Sequence, residues 1–523
     1  MYTVLATDSI AKEGMAELEN EPGVSVLYGH IDEITQPELI DGLIVRSATT
    51  ITKELLSRFS NLKIIARAGV GVDNIDIKAA TQRGILVINA PDGNTISTAE
   101  HTFAMIMALL RKIPQANQSI KEGKWSRPSF KGTELSGKSL GIVGMGRIGT
   151  ELAKRARVFG AKVQVYDPFL TNDRAKTLQV ISLPLDELLV TSDIITVHTP
   201  LTKDTKKLIN ADNLSKTKKG VYLINCARGG ILDEEALYTF LTSGHVAGCA
   251  LDVFETEPAV ENRLVQLDNV IATPHIAAST TEAQLNVASQ VAHEVSSFFK
   301  GKPVKNAVNL PAVSNEEFQK IYPFYELAKM SGQLLSQSFS SPIKEIKITF
   351  AGSITDYDTG LVTRGLLSGF LQPRVDRIVN DINAALIAKE QGFTFGETYS
   401  TDAQGYENWM EARVIGEHDN FSLQATFISG YGPRVVNING YSTDFIPEGY
   451  LVYIEHIDRP GVIGRVGKLF GDLEVNIASM QVGRKMAGGE AIMMLSFDKE
   501  LNQDIFLKIK ELPDVVSATK INL

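Results

Sequence analysis

The sequence predicts an α/β protein: two doubly wound parallel-sheet domains, followed by an α+β intervening domain and a terminal split βαβ unit. Three observations carry this. The chain has 523 residues, and at about 150 residues per domain it holds three to four domains. From the start to about residue 300, short β-branched runs alternate with helical patterns, as in an open parallel sheet. Beyond the Pro-bearing connector Lys302 to Pro311 that alternation stops and a different mixture of helix and strand begins.

Taken in order, the runs Thr3 to Thr7, Gly42 to Arg46, Leu62 to Ala66 and Ile85 to Asn89 read as buried strands. Pro91 to Asn94 breaks the series, and a long helical pattern, Ser97 to Lys112, leads into a second alternating series from Ser139. Residues 280–300 place Leu285, Ala288, Val291, Ala292, Val295 and Phe299 on one helical face, as a packed helix requires. After the connector come a helical stretch (Asn315 to Gln337), a strand (Ile343 to Phe350), a second helix (Arg374 to Lys389) and strand-like segments up to Phe445. From Gly449 the order strand, helix, strand, strand, helix, strand fits a split βαβ unit, with Val462, Ile463, Val466, Leu469 and Phe470 on one face of its first helix. The expected domains are 1–95 with 282–305, 96–281, 310–445 and 449–523.

Composition narrows the function classes. Hydrophobic residues make up 44% and charged residues 22%, so ordinary cores are available and disorder has no support. The 52 Lys and Arg against 61 Asp and Glu leave a net charge of -9, which argues against nucleic acid or an acidic membrane as partner. An anionic ligand then needs a local cationic pocket. The N-terminus, MYTVLATDSIAKEG, has neither signal-peptide nor transit-peptide character. The longest apolar run, near Ala104 to Leu110, falls far short of the roughly 18 to 20 residues of a membrane span. Only Cys226 and Cys249 occur, without metal-ligand spacing and too few for a disulfide framework, so a cytoplasmic, metal-free protein is expected.

The strand Ser139 to Val143 runs directly into Gly144-Met145-Gly146-Arg147-Ile148-Gly149, a G-x-G-x-x-G, and a helix follows with Ile148, Leu152, Ala156 and Phe159 on one face. The next strand, Lys162 to Tyr166, ends in Asp167, 18 residues after Gly149. Strand, glycines, helix, strand and acid together make the dinucleotide fingerprint. Gly144 and Gly146 permit a tight turn and close approach of amides to a pyrophosphate, and Gly149 lets helix and strand pack. Asp167 suits two ribose hydroxyls and repels a 2′-phosphate, so NAD is expected over NADP.

Three further motifs stand at strand ends of the same half: Leu223 to Gly230 (LINCARGG), Leu251 to Pro258 (LDVFETEP) and Thr273 to Thr280 (TPHIAAST). Hydride transfer at an oxygen-bearing carbon needs a proton acceptor of near-neutral pKa, which histidine supplies. His275 is the candidate, with Glu257 available to fix its other nitrogen and Arg228 to hold a substrate carboxylate. His198, in HTP after the strand Ile194 to Val197, competes for the same role, and residue chemistry alone leaves that competition open.

The ordered set GMGRIG, YDP, HTP, NCARGG, LDVFETEP and PHIAAST closely resembles the NAD-dependent D-2-hydroxyacid dehydrogenases over roughly residues 40–300. The resemblance implies two Rossmann-like domains with the site in the cleft between them. It implies Arg228 as substrate-binding and catalytic arginine, Glu257 as orienting acid, His275 as general acid/base, and a cofactor-side structural place for His198. It also implies NAD contacts from Arg147, Ile148, Asp167, Thr199, Cys226, Ala227, Arg228, Asp252, His275, Ile276, Ala277 and Ala278.

On the substrate side, Ala66 to Asp76 (ARAGVGVDNID) offers the backbone amides of Val70 and Gly71 to an anion. Arg46 in IVRSATT and Asn94 in PDGNT match positions of the phosphoglycerate dehydrogenases within that family, as does the block KWSRPSFKGTEL, whose Arg127 is expected at the phosphate from its own chain or across a subunit boundary. One departure stands out: some relatives have threonine where Val70 stands, so no hydroxyl contact arises there. From Gly449 the chain resembles an ACT domain, a small-molecule sensor. Its loop His456 to Gly461 (HIDRPG) leads to Val462, and Asn476 in EVNIAS holds the usual second ligand position. The helix start at Gly461 suits a carboxylate, and Asp458 with Asn476 suits an amino group.

The middle segment, Leu310 to Phe445, resembles the intervening domain of the long-form D-3-phosphoglycerate dehydrogenases. Over the full chain the resemblance implies oxidation of 3-phosphoglycerate to 3-phosphohydroxypyruvate with NAD, the first step of serine synthesis. It further implies L-serine as feedback ligand and a homotetramer, and it leaves open a side reduction of 2-oxoglutarate to 2-hydroxyglutarate. Rival readings are a glyoxylate/hydroxypyruvate reductase or D-lactate dehydrogenase, which normally lack the two C-terminal domains, and a non-enzymatic NAD-sensing regulator, disfavoured by the retained Arg, Glu and His.

Overall fold

The computed structural model describes all 523 residues, Met1–Leu523. Its first sheet has five parallel strands in the order Val24–Tyr28, Tyr2–Ala6, Gly42–Val45, Ile64–Arg67, Leu86–Asn89. Strands buried on both faces must be apolar throughout, and Gly42–Val45 is buried at every position. One face is covered from far along the chain by the helix Thr281–Phe299, whose Ala288, Val291, Ala292 and Val295 pack with Val4, Met15, Leu18 and Ile64. Leu285, expected on that face, is 40% exposed instead.

The second sheet has seven parallel strands in the order Val270–Ala272, Val246–Leu251, Val221–Asn225, Ile194–Val197, Ser139–Val143, Lys162–Tyr166, Ile181–Ser182. Strand order reverses between Ser139–Val143 and Ile194–Val197, which pair in parallel. That switch point opens a crevice at the strands' C-terminal ends. The long helix Thr95–Arg111 packs on this sheet through Met105, Ile106, Leu109 and Leu110. In the helix Arg147–Val158, Leu152, Ala153 and Ala156 are buried, whereas Phe159 beyond its end is 53% exposed.

The third sheet is mixed, in the order Thr394–Ser400, Ile343–Gly352, Asn408–Gly416, Asn420–Ile428, Gly432–Ile438, Tyr441–Phe445, with only the first pair parallel. The helix Asn315–Ser338 lies along it and a second helix, Gly360–Leu371, lies against the first. Its glycines face the contact: a β-carbon at Gly369 stands 2.1 Å from Lys329 O, and one at Gly332 stands 2.2 Å from Leu366 O. Only glycine lets the two backbones come so close. The helix expected over Arg374 to Lys389 is corrected to Ala384–Glu390, preceded by a short 3₁₀ turn at Gln372–Arg374. A local network stops it from starting earlier. Asn380 Oδ1 accepts from the Ile382 and Asn383 amides, and Asn383 answers with Oδ1 on Asn380 N and Nδ2 on Ile378 O.

The fourth sheet is antiparallel, in the order Ile477–Arg484, Glu490–Phe497, Tyr450–Ile457, Val515–Asn522. The helices Val462–Asp472 and Gln503–Lys510 cover one face, burying Val462, Val466, Phe470, Phe506 and Ile509, while Ile463 is 53% exposed. The other face has no core of its own: Leu451, Tyr453, Ile492, Met494 and Ile521 belong to one cluster of 38 buried residues that runs through the third sheet and its helices. No helix is long and apolar enough to cross a membrane.

Candidate active site

A cavity of about 530 Å³ lies between the first two sheets. Val70 to Asp73, Pro91, Asn94 and Thr98 line one side, and Gly146 to Ile148, His198 to Leu201, Cys226 to Arg228, His275, Ala277 and Ala278 line the other. Each lining loop follows a strand end because a parallel sheet directs all its C-termini to one edge.

On the dinucleotide side, the helix starting at Arg147 points its free amides into the cavity, and a β-carbon at Gly146 meets nothing within 4 Å, leaving open space for a pyrophosphate. At Gly149 a β-carbon falls 2.2 Å from Gly144 O, so strand and helix pack only through glycine. Asp167 ends its strand as expected, with Oδ2 accepting from Met145 N (2.7 Å) and Oδ1 from Phe169 N (2.8 Å). It therefore braces the glycine loop, and each oxygen keeps a further lone pair able to accept. Asn94 Oδ1, Thr98 Oγ1, His198 Nδ1 and Thr199 Oγ1 are buried with no partner in the chain, and all four residues line this cavity. Orphaned polar atoms gathered at one cavity fit a polar ligand. Burial pushes the Cys226 thiol up to about 12, so it is no nucleophile.

The two histidines separate clearly. His198 is held by Thr196 Oγ1 at 3.0 Å, and burial pushes its pKa down to about 4, so it stays neutral. His275 is half exposed in the cleft, with Nδ1 2.9 Å from Glu257 Oε2, and Glu257 Oε1 accepts from Phe254 N at 3.1 Å. His275 has φ +53, in the left-handed region that side chains rarely adopt. Asp252 keeps it there: Oδ1 accepts from Ile276 N (2.8 Å) and Oδ2 from Ala277 N (2.9 Å). Asp252 is 0% exposed and lies beneath the cavity, so the expected direct contact with a ligand is replaced by support of the His275 loop. Burial pushes its carboxyl up, but hydrogen bonds from His101, Thr273 and the two amides outweigh this and hold it below its ordinary value. His101, 3.4 Å from Asp252 Oδ1, was not visible from the motifs.

Arg228 stands opposite. Asn225, buried, fixes its loop by accepting from Ala227 N (3.0 Å) and donating to Arg228 O (2.8 Å). The guanidinium pairs with Asp73 across the cleft, Nε to Oδ2 3.0 Å, and covers Gly71 so closely that a β-carbon there falls 2.0 Å from Nη2. Nearby Arg67, absent from the sequence expectations, donates to Ala68 O and Ser47 Oγ, each at 3.2 Å. Burial, followed by the guanidiniums of Arg228 and Arg46, pushes its pKa down to about 10. Arg67 thus feels the charges of Arg46 and Arg228, but of the three only Arg228 lines the cavity. Arg127 is not among them: it lies exposed in the turn Arg127–Phe130, outside the cavity of its own chain.

In the fourth sheet the expected effector residues do not converge. His456 is 2% exposed with Nε2 unpartnered, and Val462 is a core residue. Asp458 Oδ2 already accepts from Arg484 (3.1 Å) and Gly488 N (3.2 Å), beside Gly461 with its φ of +91. Asn476 donates to Asp498 (3.0 Å) in a separate cavity of about 370 Å³. Asp458 follows Ile457, which pairs with Glu490, whereas Asn476 precedes Ile477, which pairs with Phe497. Seven residues of strand separate the two ends, about 23 Å at 3.3 Å per residue. One small ligand cannot touch both within one chain.

Comparison with known proteins gives three family matches. Residues 103–277 match the D-isomer specific 2-hydroxyacid dehydrogenase NAD binding domain, residues 320–439 the D-3-phosphoglycerate dehydrogenase intervening domain, and residues 450–514 the ACT domain. The chain is 53% identical to a D-3-phosphoglycerate dehydrogenase of Bacillus subtilis over 524 residues, covering 100% of both. It is 44% identical to one of Archaeoglobus fulgidus, covering 99% of this chain and 98% of that one. Among solved structures, a D-lactate dehydrogenase from Aquifex aeolicus, complexed with NAD and lactic acid, aligns at TM-score 0.53 and 34% identity. That alignment covers 59% of this chain and 100% of the other. A glyoxylate reductase from Paecilomyes thermophila aligns at TM-score 0.54 and 29% identity, covering 59% and 98%.

Proposed function

The chain belongs to the D-3-phosphoglycerate dehydrogenase family, and from that membership we propose how its cleft works. It is an NAD-dependent oxidoreductase that converts 3-phospho-D-glycerate to 3-phosphohydroxypyruvate, the first step of L-serine biosynthesis. Bound NAD would supply the hydride acceptor for C2. The Arg147 helix start, Thr199 and the Cys226 to Ala227 backbone hold the dinucleotide, with Asp167 toward the ribose. Nε2 of His275 takes the C2 hydroxyl proton, while Glu257 fixes Nδ1 and stabilises the imidazolium that results. Arg228 grips the C1 carboxylate, and Arg46 with Arg67 takes the phosphate. The observation that carries this reading is the meeting of the His275–Glu257 pair and Arg228 at one cavity, with the buried guanidinium of Arg67 close enough to feel Arg228 and Arg46. Steady-state assay of NADH formation with 3-phosphoglycerate and D-lactate tests it: preference for D-lactate overturns the phosphate assignment.

The ACT domain is a ligand-binding module, and L-serine is its ligand in this reading. A carboxylate at the Gly461 helix start and an amino group between acid and amide suit a small amino acid. Because Asp458 and Asn476 lie at opposite ends of the sheet, a site using both joins two chains, which favours a homo-oligomer, in this reading a tetramer. Two buried, unpaired cysteines agree with a cytoplasmic setting. Calorimetric titration of serine into wild type and Asp458→Ala, with sedimentation to count chains, decides this; equal binding by both overturns it.

A further inference from the structure

Two arginines of the dinucleotide side are held by carboxylates from the other side of the cleft, Arg147 by Asp92 at 2.5 Å and Arg228 by Asp73 at 3.0 Å. The second pair stands at the reacting end. Arg228 spends Nε on Asp73 and one Nη1 proton on Ala227 O (2.7 Å), while Nη2 lies against Gly71. A guanidinium can grip a carboxylate through its Nε side or through its Nη1 and Nη2 end. With Asp73 on the Nε side, only the end remains. Ala227 O alone does not settle this, because rotation about the last side-chain bonds still offers either edge. Asp73 is 69% exposed, and an exposed pair of this kind adds little to folding. Its significance therefore lies in where it points the arginine. Asp73 also faces the crowded guanidiniums, favouring the charge of Arg67 against the opposing effect of Arg228 and Arg46.

We infer that Asp73 is a positioning residue for the substrate: from the opposite wall it fixes the guanidinium of Arg228 so that the Nη1–Nη2 end faces the carboxylate of the bound hydroxy acid. This rests on Arg228 being the carboxylate anchor. What Asp73 supplies is an oxygen acceptor at one place, so an amide in the same place serves nearly as well.

The test is steady-state kinetics of Asp73→Ala and Asp73→Asn, with NADH affinity read by fluorescence and the fold by circular dichroism. Misplacing an anchoring group by about 1 Å costs up to roughly 100-fold. Asp73→Ala should accordingly lower kcat/KM for 3-phosphoglycerate by about 10- to 100-fold, mainly through KM, with NADH affinity unchanged. Asp73→Asn should return to within about 3-fold of wild type. On an Arg228→Lys background, where no fork remains to be aimed, Asp73→Ala should add less than about 2-fold. Three results overturn the inference: unchanged kinetics of Asp73→Ala, an Asp73→Asn defect as large as that of Ala, or full additivity with Arg228→Lys. Wild-type turnover of 3-phosphoglycerate and D-lactate is measured alongside. If only D-lactate reacts, the substrate reading falls, and the Asp73 comparison is made on D-lactate instead.

Discussion

Glu257 Oε2 stands 2.9 Å from Nδ1 of His275, and the other oxygen of the same carboxylate is tied to the Phe254 amide at 3.1 Å. A carboxylate fixed at both ends imposes one orientation on the imidazole.

Replacing His275 by Ala should therefore lower kcat by about 10²- to 10⁴-fold, the range of a lost general base. Glu257→Gln should cost at least about 10-fold, with NADH affinity retained in both. His198→Asn should keep activity within about 5-fold, since a histidine whose charged form is disfavoured by burial is too weak a base to take up a proton near pH 7. Stopped-flow NADH formation checks all three, and a larger loss at His198 than at His275 reverses the assignment.

The Asp252 carboxyl is held below its ordinary value in the fold. A group with depressed folded pKa contributes stability above its unfolded pKa, about 3.9 for aspartate, and loses it as pH falls through the folded value. Asp252→Asn should thus be destabilised at pH 7 by about 1–3 kcal/mol, because an amide cannot accept from both Ile276 and Ala277. The gap from wild type should shrink below about pH 4. Denaturant unfolding across pH measures this, and a gap that widens on acidification contradicts it.

Arg67 bears on specificity. Removing it as Arg67→Met keeps its buried stem but deletes the charge. KM for 3-phosphoglycerate should rise about 10-fold or more, in line with a lost charge-assisted contact of about 1.5–3 kcal/mol. KM for D-lactate, which has no phosphate, should change less than about 3-fold. Equal rises for both place Arg67 at the carboxylate instead.

Gly369→Ala tests the helix contact behind the third sheet. The added methyl meets a main-chain oxygen at 2.1 Å, which no side-chain rotation relieves. Overpacking of this sort costs about 1–3 kcal/mol. Calorimetry should show a lower Tm, whereas Gly396→Ala, with nothing within 4 Å, should leave it nearly unchanged.

How much of this was legible beforehand depends on the range of the interaction. Ser139–Val143, Lys162–Tyr166 and Ile194–Val197 agree with the sequence reading residue for residue, because local apolar runs between turn residues determine them. The helix Gly360–Leu371 escaped, since Gly360, Gly365 and Gly369 look like loop residues until a partner helix lies against them. Leu285, Phe159 and Ile463 were placed inside by periodicity, but a helix turns its edge positions outward when its neighbour is narrow. At the cleft, the loop motifs reveal His275, Glu257 and Arg228 as residue types. The Asp73–Arg228 pair spans 155 residues of chain and no motif links its members. Arg67 sits at a strand end, and its charge crowding emerges only when Arg46 and Arg228 are brought beside it.

The single core of 38 residues shared by the third and fourth sheets also bears on ancestry and engineering. A domain swapped at Gly449 carries away Leu451, Tyr453, Ile492, Met494 and Ile521 and leaves their partners bare. Recombination that keeps this core whole cuts instead at the Lys302 to Pro311 connector, giving up the packing of Ile382 on the first sheet and the Asn380–Gly84 hydrogen bond, so the last two domains should be inherited, lost or transplanted as a pair. A sensor borrowed from another protein would need the matching long helix, Asn315–Ser338, to come with it.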